Sequence, residues 1–275
     1  MEEKEQVRAR ALIALCEPNP LKKSALAKTI QTRDERDWPP TACAAGSPHI
    51  PGRPSYVALV APNELKRRSL STVAGRAALV HALAHIEFNA INLALDAVWR
   101  FNEMPEAFAL DWAQVASEEA LHFELLHEHL AQSGFRYGDF PAHDGLWKMA
   151  ERTKGDVLAR MALVPRTLEA RGLDASPSIR DKLRQAGDEA GAAIVQRILD
   201  DEIGHVATGN RWFRALCAAR NLDPMESFAE LCRTYRAPVL RSPFNVSARK
   251  AAGFTSDEIA YVIAADEEAR QAARV

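Results

Sequence analysis

The stretch Asp200–Asp201–Glu202–Ile203–Gly204–His205 decides how this chain is read. Glu202 and His205 stand three positions apart. On an α-helix that spacing sets two side chains on neighbouring turns of one face. A carboxylate and an imidazole placed so can grip one metal ion. An earlier stretch, Glu118–Glu119–Ala120–Leu121–His122, repeats the pattern in Glu119 and His122. Two Glu-x-x-His pairs are half of a dinuclear carboxylate site. The other half is a lone Glu on each of two further helices.

Glu87 and Glu169 are the candidates for those lone carboxylates. Glu87 precedes Glu119 by 32 residues, and Glu169 precedes Glu202 by 33. Each interval suits half a helix, a tight turn and half of a second helix, which returns both side chains to one depth. Pro105 suits the first turn of a new helix. Gly187–Asp188 reads as a break followed by an N-cap. The pattern predicts two helical hairpins, each with a Glu on its first arm and a Glu-x-x-His on its second. A single Glu-x-x-His is weak, because one arises by chance in a chain this rich in Glu. A third, Glu124 and His127, lies five positions past Glu119, well over about 100° around the helix. It is read as a solvated face. The repetition at matched intervals is what carries the metal reading.

The 275 residues suffice for one large domain with extensions, and 47% apolar content supports a sizeable core. A net charge of −2 makes no electrostatic case for nucleic acid or an anionic membrane, though it does not exclude nucleic acid. Cys16, Cys43, Cys217 and Cys232 form no Cys-x-x-Cys, which removes a rubredoxin-type iron centre and a zinc ribbon. The acidic start is no signal peptide. The most apolar stretch, residues 73–99, is interrupted by Arg76, His81, His85, Glu87 and Asp96 and is read as falling short of a membrane span. A reducing, cytoplasmic setting is expected.

Three regions are predicted: residues 1–70 with short helices and a Pro-rich segment packed on the bundle, residues 71–221 as a four-helix bundle, and residues 222–275 as a C-terminal extension. Helical patterns open the first region over 1–15 and 20–30. Residues 32–63 are irregular, with Trp38, Tyr56 and Val57 arguing for docking. Bundle helices are expected over about 71–100, 105–133, 156–171 and 188–221. Gly134 stops the second. The 47 residues from His122 to Glu169 leave room for a long crossover between the second and third helices. Pro165 should kink the third helix, and residues 172–177 should interrupt it, opening the site to oxygen or substrate. Glu118 and Asp201 each lie four positions before a candidate ligand His and could hold its second ring nitrogen, as His85 could from outside the ligand set. Glu118 and Asp201 read equally well as surface acids. His81 and His85, four apart, could be ligands themselves, and read first as satisfied core or outer-shell groups. Tyr137, His143 and Trp147 could line a substrate entrance or simply pack the crossover.

Four carboxylates and two imidazoles suit two iron ions, with manganese or a mixed Fe/Mn pair as alternatives, rather than structural zinc. These six residues resemble the ligand set of ferritin-like di-iron carboxylate proteins. More narrowly, His81–Ala82–Leu83–Ala84–His85–Ile86–Glu87, Tyr137–Gly138–Asp139, His143–Asp144–Gly145–Leu146–Trp147, Leu168–Glu169–Ala170–Arg171–Gly172–Leu173–Asp174 and Asp201–Glu202–Ile203–Gly204–His205–Val206 resemble a bacterial ferritin-like family that carries only a domain-of-unknown-function label. The resemblance extends over Pro51–Gly52–Arg53–Pro54 and Ser242–Pro243–Phe244–Asn245. It implies an all-α, ferritin-like four-helix bundle and a di-iron centre. Looser kinship with a di-iron tRNA hydroxylase implies modified-nucleoside chemistry, a weak warrant for substrate. The reaction class expected first is oxygen-dependent hydroxylation or other oxidation of an organic molecule, small or nucleoside-like, with an electron-donor partner. A ferroxidase or iron-handling protein, and a non-enzymatic metal-binding helical module, are the alternatives.

Overall fold

The computed structural model of the chain describes residues 2–31, 50–66 and 68–273. Among them all regular secondary structure is helical, apart from one isolated bridge between Leu59 and Ala142. The helices are α1 Glu2–Cys16, α2 Pro20–Thr29, α3 Val73–Arg100, α4 Glu106–Gln132, α5 Gly145–Arg152, α6 Val157–Leu163, α7 Ala170–Gln185, α8 Glu189–Ala219, α9 Pro224–Thr234, α10 Val246–Ala251 and α11 Ser256–Ala272. A π-helical turn, Val164–Glu169, joins α6 to α7. The chain sorts into two compact units: residues 1–148 with 186–194, and residues 149–185 with 195–275.

In the first unit α3 packs along α4 and α1, and α2 packs on α4. Val80, Ala84, Phe88, Ile91 and Leu95 of α3 are buried, as are Phe108, Trp112, Phe123 and Leu126 of α4. Each large apolar side chain so buried contributes about 1.5–3 kcal/mol. Local sequence fixes the helix ends. Thr72 Oγ1 accepts from the Gly75 N–H at 3.0 Å to start α3. Gly134, at φ +81°, ends α4, with the Phe135 N–H donating to Leu130 C=O at 3.1 Å. Pro105 is the cap residue of α4, not its first helical one. Asp188 Oδ1 accepts from the Gly191 N–H at 2.8 Å at the start of α8, while its Oδ2 meets His129 Nε2 at 3.0 Å.

Docking of the Pro-rich segment rests on different residues from those expected. Trp38 lies outside the described residues, Tyr56 is exposed, and Pro51, Gly52 and Pro54 are buried. The Gly52 N–H donates to Leu15 C=O at 2.8 Å, and a Cβ there would sit 2.1 Å from Cys16 O. Buried Lys23 donates to Leu15 C=O, Gly52 C=O and Asn92 Oδ1, tying this segment to α1 and α3.

The second unit corrects the expected third helix. Pro165 does disturb the ladder, as a π turn in which Thr167 Oγ1 donates to Ala162 C=O at 2.8 Å. The expected interruption at 172–177 is absent, and α7 runs through Pro177. Proline removes the donor that Leu173 C=O would receive four residues on. Asn245 Nδ2 supplies the replacement at 3.1 Å. Two buried arginines brace the surroundings. Arg249 is bound by Asp174 at 2.6 and 3.0 Å. Arg166 donates to Asn210 Oδ1 at 2.9 Å and Glu258 Oε1 at 2.6 Å, with the rings of Phe213, Phe228 and Phe254 4.6–5.1 Å from its guanidinium. The crossover contains α5, and α10 follows the non-helical stretch 237–245; neither short helix was expected. A capping box of Thr255 and Glu258 opens α11.

By length and composition α3 could cross a membrane, but 72% of its most apolar window is buried within the protein. That identifies it as a core helix; the polar interruptions expected to disqualify it do not.

Candidate metal centre

In the first unit Glu87 comes from α3, and Glu119 and His122 from α4. One ligand atom from each lies within 4.8 Å of the others. His122 Nδ1 is 3.2 Å from Glu119 Oε2 and 3.3 Å from Glu87 Oε2. Glu119 and His122 are fully buried and Glu87 nearly so. Burial, then the neighbouring Glu119 charge, pushes the Glu87 carboxyl well above its ordinary value. Burial alone would pull His122 down, but hydrogen bonds and charge from Glu119 and Glu87 lift it to about 11. The imidazolium sets one positive charge against the two carboxylates.

In the second unit Glu169 is the last residue of the π turn, and α8 carries Glu202 and His205. All three are buried, and His205 Nδ1 lies 3.7 Å from Glu202 Oε1. A Cβ on Gly172 would lie 3.9 Å from Glu202 Cγ, so α7 passes α8 closely at this level. One turn beyond His205, a Cβ on Gly209 would be 2.5 Å from the Pro165 ring. The glycine lets the π turn rest directly on α8.

The chain is matched from residue 16 to residue 260 by the family model described as "Protein of unknown function (DUF455)". This protein belongs to the DUF455 family. It is also 50% identical over 221 residues to an uncharacterized protein of Haemophilus influenzae, covering 78% of this chain and 77% of that one. No solved structure matches it.

Glu87, Glu119, His122 and Glu202 of this DUF455 member are each buried and each offer an oxygen or nitrogen that a metal ion could take. The donor set of the first unit fits a cation. Two buried carboxylates share one imidazole, an arrangement costly without positive charge, and hard oxygen donors beside imidazole suit iron or manganese.

The remaining predicted residues fall as follows. Glu118 accepts from Gln114 Nε2 at 2.8 Å and Asp201 from Arg197 Nε at 2.6 Å, each from the preceding turn of its own helix. Glu124, of the third Glu-x-x-His, pairs with Lys28 at 2.6 Å. His85 Nδ1 is 2.7 Å from the Tyr137 hydroxyl, and His81 Nε2 accepts from the Gly138 N–H at 2.9 Å. Burial pulls both histidines down to about 4, so they are neutral. Tyr137 is buried, its ring against His81, Phe88 and Phe123. Trp147 is buried with the Arg53 guanidinium 5.9 Å from its ring, and half-buried His143 accepts from the Gly145 N–H at 3.1 Å. The sequence reading overlooked two buried polar groups of α3, Asn89 and Asn92. Their burial at four- and seven-residue spacings from His85 was the available signal.

Proposed function

We propose that this protein holds two redox-active metal ions, iron first, through Glu87, Glu119, His122, Glu169, Glu202 and His205, and uses them in oxygen-dependent oxidation of a small organic substrate. The observation that carries the reading is the buried Glu87–Glu119–His122 cluster, which puts two carboxylates on one imidazole in a dry setting. The second unit repeats the same residue types in the same order, and the proposal is that the two halves serve one centre. When bound, the metal pair would supply the electrons that dioxygen takes up.

The chain's own contribution follows from its side chains. Glu87 and Glu119 supply negative charge that a dication would neutralise. His122 would give up a ring proton to a bound metal, so metal uptake would release protons. Burial excludes water and strengthens the charge interactions. The finer expectations, a ferritin-like bundle and a hydroxylase-type reaction, belong to this proposal. So does an electron-donor partner.

The test is anaerobic titration of the metal-free protein with ferrous iron, followed by oxygen, with Mössbauer spectroscopy and a screen of cell-extract metabolites for a consumed compound. Two irons per chain in a coupled pair, and an organic product, are expected. Fewer than two bound irons would overturn the dinuclear centre. Iron oxidation with no organic product would leave iron handling in place of oxygenation.

A further inference from the structure

A cavity of about 400 Å³ lies along one face of α3, against Ala78, Ala82, His85, Ile86 and Asn89. Residues step by about 100° around a helix, which puts Glu87 on nearly the opposite side of α3 from this face. The cavity is therefore distinct from the Glu87–Glu119–His122 cluster. Its volume lies within the range of about 300–1,000 Å³ that holds one small ligand.

The floor is polar and incomplete. His85 is 6% exposed and Asn89 2%. The Tyr137 hydroxyl takes His85 Nδ1, and Asn89 Nδ2 donates to His85 C=O at 2.9 Å, so both side chains are oriented. Asn89 Oδ1 has no hydrogen-bond partner among the described residues, and His85 Nε2 has none of good geometry, the His143 backbone lying beside its ring. Such buried atoms cost about 1–3 kcal/mol each when left unmet. Ile86, Phe140 and Leu146 give the lining an apolar part. Lys66 and Arg68 outweigh Glu64 at the rim, and the Arg68 guanidinium sits 5.2 Å from the Phe140 ring centroid.

We infer that this cavity binds a small organic anion: its charged group at Lys66 and Arg68, an apolar body against Ile86 and Phe140, and an N–H- or O–H-bearing end on Asn89 and His85. The site stands apart from the metal proposal and does not depend on it.

The probe is 8-anilinonaphthalene-1-sulfonate, which has a sulfonate, flat rings and an N–H, titrated into the full chain by fluorescence. One saturable site per chain is expected. Ala82→Trp fills the space from a solvent-facing position, and Arg68→Glu reverses a rim charge. Each should weaken the probe about tenfold or more, the loss of one charge-assisted or packing contact, with helical circular dichroism unchanged. Glu119→Ala should leave probe affinity as it was, and Ala82→Trp should leave bound iron as it was. Non-saturable binding, or affinity unmoved in both cavity variants, overturns the inference. Loss of probe binding in Glu119→Ala would overturn the separation of the two sites.

Discussion

The two halves that carry the candidate ligands bury the same residue types by different means. The first uses two uninterrupted α-helices, α3 and α4, with aromatic and aliphatic packing around Glu87, Glu119 and His122. The second uses a π turn, a proline inside α7, and two buried arginines. Regular packing needs only the right apolar periodicity. An irregular backbone needs specific partners for the groups that it releases, and one of them, Asn245, comes from far along the chain.

The largest effect expected bears on whether the halves are equivalent ligand sources. Glu119→Ala and Glu202→Ala should each reduce bound iron from two per chain to one or fewer, measured by metal analysis after anaerobic loading. Full metal content in either variant would remove that half from the centre.

Next comes the dependence of the second unit on buried charge. Asp174→Ala leaves Arg249 buried and uncompensated and should cost about 3–5 kcal/mol. The counterpart in the first unit, Arg53→Ala, breaks a partly exposed pair with Asp144 and should cost about 0–1 kcal/mol. Urea denaturation measures both, and equal costs would erase the contrast.

A smaller effect tests the π turn. Gly209→Ala drives a methyl into the Pro165 ring and should destabilise by about 1–3 kcal/mol. Gly204→Ala, on the same helix with nothing within 4 Å, should instead stabilise by up to about 1 kcal/mol. Thermal unfolding of the pair gives the sign of each.

The mildest effect is on acid stability. Burial would raise the Glu258 carboxyl, but the Arg166 charge, the Thr255 N–H and Arg214 outweigh it and hold it below its ordinary value. Its unfolded form therefore binds protons more readily. The stability it lends is complete above the ordinary glutamate range and is lost as pH falls through the lower folded value. Glu258→Gln should flatten that part of the pH–stability curve, and an unchanged slope would count against the pairing.

Helix ends were legible because their signals are local. Gly134 and Asp188 each act within a few residues of themselves. The meeting of Glu87 with Glu119 and His122 was legible from intervals, since a helix converts spacing into facing. The break expected at residues 172–177 was misplaced because the donor that rescues Leu173 lies 72 residues on, at Asn245. No local propensity records that. The cavity was hidden for the same reason: Lys66, Phe140 and Asn89 become neighbours only in the folded chain.

The bond from Asn245 to Leu173 changes what trimming this protein would mean. A product ending before residue 245 would lack both that donor and Arg249, and the middle of α7 would be asked to tolerate a proline unaided. The last thirty or so residues are thus no detachable appendage: they are the scaffolding that lets a disfavoured helix stand.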